Sequence, residues 1–398
     1  GWVRWAAAAA WLAIAALYWP SVLLAPLPLD DRSALTALAG APLSQLLGRD
    51  AFGHLRPLKS ALFWVLSSHP DWLPLLRAAL LALLLVCGWL VQRLCTPLLR
   101  SRGWALVCAM CCLLNPITLQ VLCWLSTSNL ILCLLAVLCY VLLARRPLLS
   151  VISLVVALLC HELALLAPVV CLAYQRSLGH KRPRSLLLAS LACCLSWLLW
   201  YAVAPGPTVQ YRFASHPRWQ LWLSAPRYLL ENLRLWLWLP DRFGVLLTDE
   251  PAEHLLGSAL AWFALILGAV AYWRLRRPDP VLRCALIWVL VWLAPLTNFV
   301  PFGNTPVAMH YLYLPGVGLA LLVTHTVQQC TAALRSRGRL RAARLPALAL
   351  GLWVVAWVSG RDHALAAWSD AVQLYSITIK NYPDNIEARV NLSASYLD

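Results

Sequence analysis

Eleven apolar runs separated by short basic loops leave a chain of this kind few ways to fold. The clearest run, Leu73 to Leu94, carries only Arg77 and Arg93 as charges, and a helix needs about 20 such residues to cross a bilayer. The others lie near 3–28, 103–121, 129–144, 148–161, 163–175, 185–204, 256–273, 282–297, 312–328 and 346–360. In lipid every backbone N–H and C=O must be satisfied within the protein, so such runs read as helices packed side by side. Composition agrees: 62% of the 398 residues are apolar and 12% are charged. That excludes an ordinary soluble domain and an intrinsically disordered chain. The expected fold class is all-α, a polytopic membrane protein of about 11 transmembrane helices. The first run, about Val3 to Leu29, is longer than the apolar core of a secretory signal and reads as a retained helix.

In a soluble protein the net charge of +16 would suggest nucleic acid. Here it reads as loop arginines that fix orientation, and no nucleic-acid partner is expected. Basic clusters fall at Arg93/Arg100/Arg102, Arg145/Arg146, Arg176/Lys181/Arg182/Arg184, Arg274/Arg276/Arg277/Arg283 and Arg335 to Arg344. Placing all of them in the cytoplasm requires the chain between Arg146 and Arg176 to cross twice or re-enter. Its turning point then lies near Cys160-His161-Glu162-Leu163. Of sixteen acidic residues, only Asp279 falls in a cytoplasmic loop, which puts the working surface outside. The N-terminus is expected in the cytoplasm, and the C-terminus and active face in the periplasm. The scarcity of lysine against arginine matches a GC-rich bacterial genome, hence a bacterial inner membrane. In a eukaryote the membrane would be that of the endoplasmic reticulum.

The fourteen cysteines lie almost entirely in apolar runs, so no disulfide framework is expected. Cys108, Cys111 and Cys112 have no partner pair for a zinc site. After Gly360 the chain turns polar with helical periodicity. Ala371, Tyr375 and Pro383 take the small, aromatic and proline positions of a tetratricopeptide repeat's second helix. Asn391, Leu392 and Tyr396 fit the first helix of the next. The domains are therefore read as 1–360, in the membrane, and 361–398, the start of an outward repeat domain. A plain amphipathic hairpin is the simpler alternative.

Five stretches resemble one family. PLDDRS resembles its Asp-Asp stretch in the first outer loop, and HLRPLKSALF its Tyr-Arg-Pro-Leu segment. LNPITLQVLCWLSTSNL resembles its His-Pro segment with a later Trp, and LLCHELALLAP its Leu-Ser-Lys-Glu segment. HYLYLPGVGLAL resembles Arg-Tyr-Leu-Tyr-Leu-Pro-x-x-Gly. Together they resemble the transmembrane and tetratricopeptide-repeat O-mannosyltransferases and their bacterial relatives, which have the C-type glycosyltransferase fold. The departures are His161 for lysine, Asn115 for histidine, and Met309-His310 for Glu-Arg.

The resemblance implies an enzyme that moves a sugar from a polyprenyl-phosphate donor to a protein Ser/Thr or glycan hydroxyl at the outer face, with inversion. Asp30 or Asp31 would be the general base, a role worth about 10²–10⁴-fold in rate. The other would orient it, or the two would hold a divalent metal ion. Arg56 is the first candidate for donor phosphate, with His310 and Tyr311 on phosphate or sugar. Glu162 beside His161 is a carboxylate flanked by apolar runs and so a functional candidate. Arg212, in QYRF, is a weaker one. Each has a bland reading: a solvated turn for the aspartates, a structural pair for His161-Glu162, a snorkelling Arg56, an aromatic belt for Tyr311. Trp219, Trp222, Trp236 and Trp238 read as one interfacial amphipathic helix. Membrane lipid and a protein partner on the repeats complete the expected contacts. The rival readings are a lipid or glycan transporter and a non-enzymatic scaffold.

Overall fold

The computed structural model describes residues 2–24, 29–50, 53–180, 184–207, 217–237, 255–274, 279–297, 308–368, 370–381, 383 and 385–396. Most of these are helical, with no strand among them. α1 (Trp2–Leu24) leads through the shorter α2 (Leu29–Leu38) and α3 (Pro57–Ser68) into α4 (Leu73–Leu99). Then come α5 (Arg102–Leu113), α6 (Ile117–Cys123), α7 (Leu125–Leu142), α8 (Pro147–Cys160), α9 (Ala167–Ser177) and α10 (Arg184–Val203). They are followed by α11 (Arg218–Leu237), α12 (Leu255–Arg274), α13 (Pro280–Leu293), α14 (Tyr313–Ser336), α15 (Leu345–Trp368), α16 (Ala371–Asn381) and α17 (Ile386–Ser395).

Six helical segments are long and apolar enough to cross a membrane: Pro70–Leu99, Leu125–Leu142, Arg184–Val203, Pro280–Thr297, Met309–Ser336 and Ala342–Arg361. The pair α5 and α6, bent by 57°, makes a seventh if counted as one span. This is the make-up of a multi-pass membrane protein. The expected eleven spans thus reduce to six or seven among the described residues. The remaining four runs are helical too, but shorter: Ala8–Pro20, Pro147–Cys160, Leu256–Gly268 and, for the 163–175 run, α9. At 1.5 Å per residue, α8 and α9 reach only about 21 and about 16 Å, short of the roughly 30 Å hydrocarbon core.

Hydrogen bonds show which helix ends meet. Tyr174 donates to the Leu94 carbonyl (3.2 Å), Gln175 to Val141 (3.3 Å) and Gln328 to Leu99 (3.0 Å). The C-terminal ends of α4, α7 and α9 therefore share one end of the bundle, next to Arg100, Arg145 and Arg176. The opposite end gathers the C-terminus of α8 and the N-terminus of α7, joined where Asn129 donates to the Cys160 carbonyl at 2.9 Å. Arg146 and Arg176 thus lie at one end. The chain between them goes out as α8, breaks at extended His161 (φ −159°, ψ 136°) and returns as α9. The chain thus turns back between the two arginines, which were expected on one side, in two legs too short to cross separately.

The bend before α6 is built from Asn115 and Pro116. The Asn115 side chain accepts the Ile117 N–H (3.1 Å) and donates to the Trp236 carbonyl of α11 (3.1 Å). α11 is amphipathic: Trp219 and Trp222 are exposed while Leu221, Ala225, Tyr228 and Trp236 are buried. Trp238 lies outside the described residues. α13 and α14 pack so closely that a Cβ on Gly318 would stand 2.9 Å from the Ala285 carbonyl oxygen, the small-residue contact typical of membrane helices. None of the fourteen cysteines, all among the described residues, is in a disulfide, and most are buried.

α15 runs without a break through Gly360 to Trp368, so the boundary read at 360 falls inside a continuous helix. α16 and α17 then pack on each other, burying Leu374, Tyr375 and Ala388. The Trp368 ring lies 6.1 Å from Trp124. The C-terminal helix pair therefore sits at the same end as the N-terminus of α7.

Candidate functional site

At that end, five chain segments bring their polar residues together. Glu162, in the one-turn helix after α8, is buried. Arg56, at the N-terminus of α3, grips it with both arms of its fork: Nε donates to Oε2 at 2.8 Å and Nη2 to Oε1. His54 Nδ1 stands 3.1 Å from Oε1. His161 Nδ1 comes within 3.4 Å of Oε2, yet that nitrogen accepts the Leu163 N–H at 3.2 Å. It therefore carries no proton, and His161 is no ion-pair partner. Burial, and then the Arg56 charge, push the His161 pKa well below the usual imidazole range. Burial alone would raise the Glu162 pKa. The Arg56 charge and hydrogen bond outweigh it and hold the carboxyl well below the ordinary range.

A second pair lies beside the first. Asp50 Oδ2 meets Lys59 Nζ at 3.2 Å, and Asp50 Oδ1 accepts the His54 N–H at 2.9 Å. Burial raises its pKa, but Lys59, Arg56 and His54 together carry it below the usual value. The two pairs are coupled, since Asp50 and Arg56 act on each other electrostatically. Arg49 completes the group. Its guanidinium lies 4.7 Å from the centre of the Tyr201 ring and donates to the Tyr201 carbonyl at 2.7 Å.

Asp31 has a different setting. It is fully buried, and its carboxylate accepts the N–H groups of Leu125 (2.9 Å) and Ser126 (2.8 Å) and the Ser126 hydroxyl (2.6 Å). It caps the N-terminus of α7 from a distance of 94 residues in sequence. Buried Arg77 of α4 adds an electrostatic partner. A divalent cation does not fit Asp31: its oxygens face donors at the positive end of a helix. Among the described residues no three His, Cys, Asp or Glu side chains converge for a metal. Asp30 is the second residue of α2, and its side chain lies outside the described residues.

His310 and Tyr311, in the single turn before α14, come to the same place. Both act on Arg56 electrostatically. Their rings lie 4.4 Å apart, and His310 meets Trp124 edge-on at 5.3 Å. His310 Nδ1 and Trp124 Nε1 are buried and have no hydrogen-bond partner among the described residues. Such atoms are costly unless something polar meets them. Arg212 lies outside the described residues.

The structure therefore gathers Arg56, His161, Glu162, His310 and Tyr311 into one cluster, and puts Asp31 to work as a helix cap. Sequence reading missed Asp50, His54, Lys59 and Arg49. A signal was available: Lys59 is one of three lysines in the chain, and it lies within four residues of Arg56. No family model, no curated protein and no solved structure matches this chain.

Proposed function

We propose that the protein is an integral-membrane glycosyltransferase that moves a sugar from a polyprenyl-phosphate donor to an acceptor hydroxyl. The single observation behind this reading is the Arg56–Glu162 pair with Asp50–Lys59 beside it, at one end of an apolar bundle. Two adjoining ion pairs of low exposure are a poor way to stabilise a fold, because desolvation offsets most of their attraction. Among apolar helices such groups mark substrate sites. The motif resemblance supplies the chemistry: PLDDRS, HLRPLK, CHEL and HYLYLPG fall on the residues that meet.

In this reading the acceptor oxygen attacks the anomeric carbon while the bond to the donor phosphate breaks. The electron pair leaves with the polyprenyl phosphate, and the acceptor proton passes to a carboxylate. Because both oxygens of Asp31 are bonded to α7, Asp30 is the base and Asp31 positions α2. His310 and Trp124 lend their unpartnered nitrogens to the sugar. Arg56, held by Glu162, supplies a fixed positive field. The membrane is a bacterial inner membrane with this end periplasmic, or the endoplasmic-reticulum membrane with it lumenal. α16 and α17 form a tetratricopeptide-type pair. Their exposed Ile386 and Val390 suit a protein partner or acceptor, which is also what a scaffold would display.

The test is glycan mass spectrometry on cells lacking the gene, rescued by wild type or by Asp30→Asn with membrane insertion verified. A glycan that disappears and returns only with wild type supports the transferase, and its mass identifies the sugar. Unchanged glycans in the deletion would sink it in favour of the scaffold or transporter.

A further inference from the structure

A cavity of about 300 Å³ opens beside the Asp50–Lys59 pair, within the range of small-ligand pockets. One wall is apolar, from Ala34, Leu38, Phe63 and Pro205. The polar wall holds Arg49, Asp50 and Lys59. Those three side chains leave one positive charge in excess. Arg49 Nε is buried without a hydrogen-bond partner among the described residues, although the same guanidinium is fixed through Nη2 on Tyr201. The guanidinium is thus held in one orientation at the cavity wall, with its hydrogen-bonding capacity not used up within the protein. Gly206, at φ +123°, lets the chain pass there, since a Cβ would stand 3.0 Å from Arg49 Cβ and from its carbonyl oxygen.

Arg56 is differently placed. Its Nε and Nη2 are taken by Glu162, so an anion there would have to displace a buried carboxylate. His310 offers no fixed charge, and Met309 is apolar and fully buried. The positive excess next to an open volume is at Arg49 and Lys59.

We propose that this cavity is the seat of the donor's phosphate, with Arg49 and Lys59 as its ligands and the apolar wall against the first part of the prenyl chain or the sugar face. The assignment rests on the transferase reading and moves the phosphate away from Arg56. A sugar-bearing prenyl phosphodiester carries one negative charge, which matches the one positive charge in excess. Asp50 sets that excess and holds Lys59 in place.

The test measures binding without turnover, on the full chain purified in lipid nanodiscs. The probe is decaprenyl phosphate, with neutral decaprenol and phosphatidylglycerol as comparisons, read by native mass spectrometry. Wild type should prefer decaprenyl phosphate over decaprenol by tenfold or more, and Arg49→Gln should remove that preference. Asp50→Asn should tighten phosphate binding threefold or more, a gain that misfolding does not produce. Equal affinity for decaprenol overturns the assignment, as does wild-type preference in both variants. Equal competition by phosphatidylglycerol makes the cavity a general lipid-headgroup seat and also overturns it. If gene loss changes glycans but Arg49→Gln binds as wild type, this inference fails and the transferase reading stands. If the binding pattern holds while gene loss changes no glycan, the phosphate seat stands and the transferase reading fails.

Discussion

Glu162 is held by a partner that cannot deprotonate at any working pH. Removing Arg56 would leave a buried, unpaired carboxylate, so Arg56→Ala should cost about 3–5 kcal/mol of stability. Arg56→Lys keeps the charge but loses the fork and should fall between the two. Denaturant unfolding in detergent measures both, and an unchanged Arg56→Ala would contradict the buried pair. The pH dependence has one sign. His161 is neutral when folded with its pKa depressed, so stability falls once pH drops below the ordinary imidazole value of 6.5. Glu162 and Asp50, also depressed, lose their contribution as pH falls below their ordinary values of 4.5 and 3.8. A melting-temperature profile should therefore be flat between about pH 7 and 8 and decline in these two acid windows. At the aspartates, Asp31→Ala should destabilise by about 2–3 kcal/mol through lost charge-assisted caps. Asp30→Ala should remove transfer while leaving melting nearly unchanged.

Helices were the most legible feature of the sequence, and their ends the least. Each of the eleven apolar runs is helical in its described residues, because leucine, alanine and valine with no water to bind leave the backbone no other partner. The turn at His161 was also legible, since arginines at 146 and 176 had to share a side. What could not be read was span length: Asn115-Pro116 breaks the 103–121 run, which composition alone joins. The cap from Asp31 to α7 was equally hidden, because a contact across 94 residues leaves no local pattern. At Gly318, the carbonyl oxygen of Ala285 and the Cβ of Trp288 both lie 2.9 Å from where a side chain would begin. Gly318→Val should therefore part α13 from α14 at a cost of about 1–3 kcal/mol, read as a lower midpoint of unfolding. A methyl group added at Gly351 would meet nothing within 4 Å, so Gly351→Ala should not destabilise.

Among the described residues, one end of the bundle is arginine-rich, and the other mixes carboxylates with Arg49, Arg56 and Lys59. The ends of α4, α7 and α9 that share one side carry arginine, and the opposite side carries Glu162, Asp50, Asp31 and the C-terminal helix pair. That division was visible in the sequence from loop arginines alone. The partners within the opposite end were not, because Arg56 and Glu162 lie 106 residues apart. The central claim is that this pair serves catalysis beyond holding helices together. The most direct test exchanges the two, Arg56→Glu with Glu162→Arg, and measures glycan output in deletion cells alongside melting of the purified protein. The exchange should recover most of the stability lost in either single variant while glycan transfer stays abolished, because the field at the reacting sugar is reversed. Recovery of both stability and transfer would show the pair to be structural, and the site would then have to be sought elsewhere.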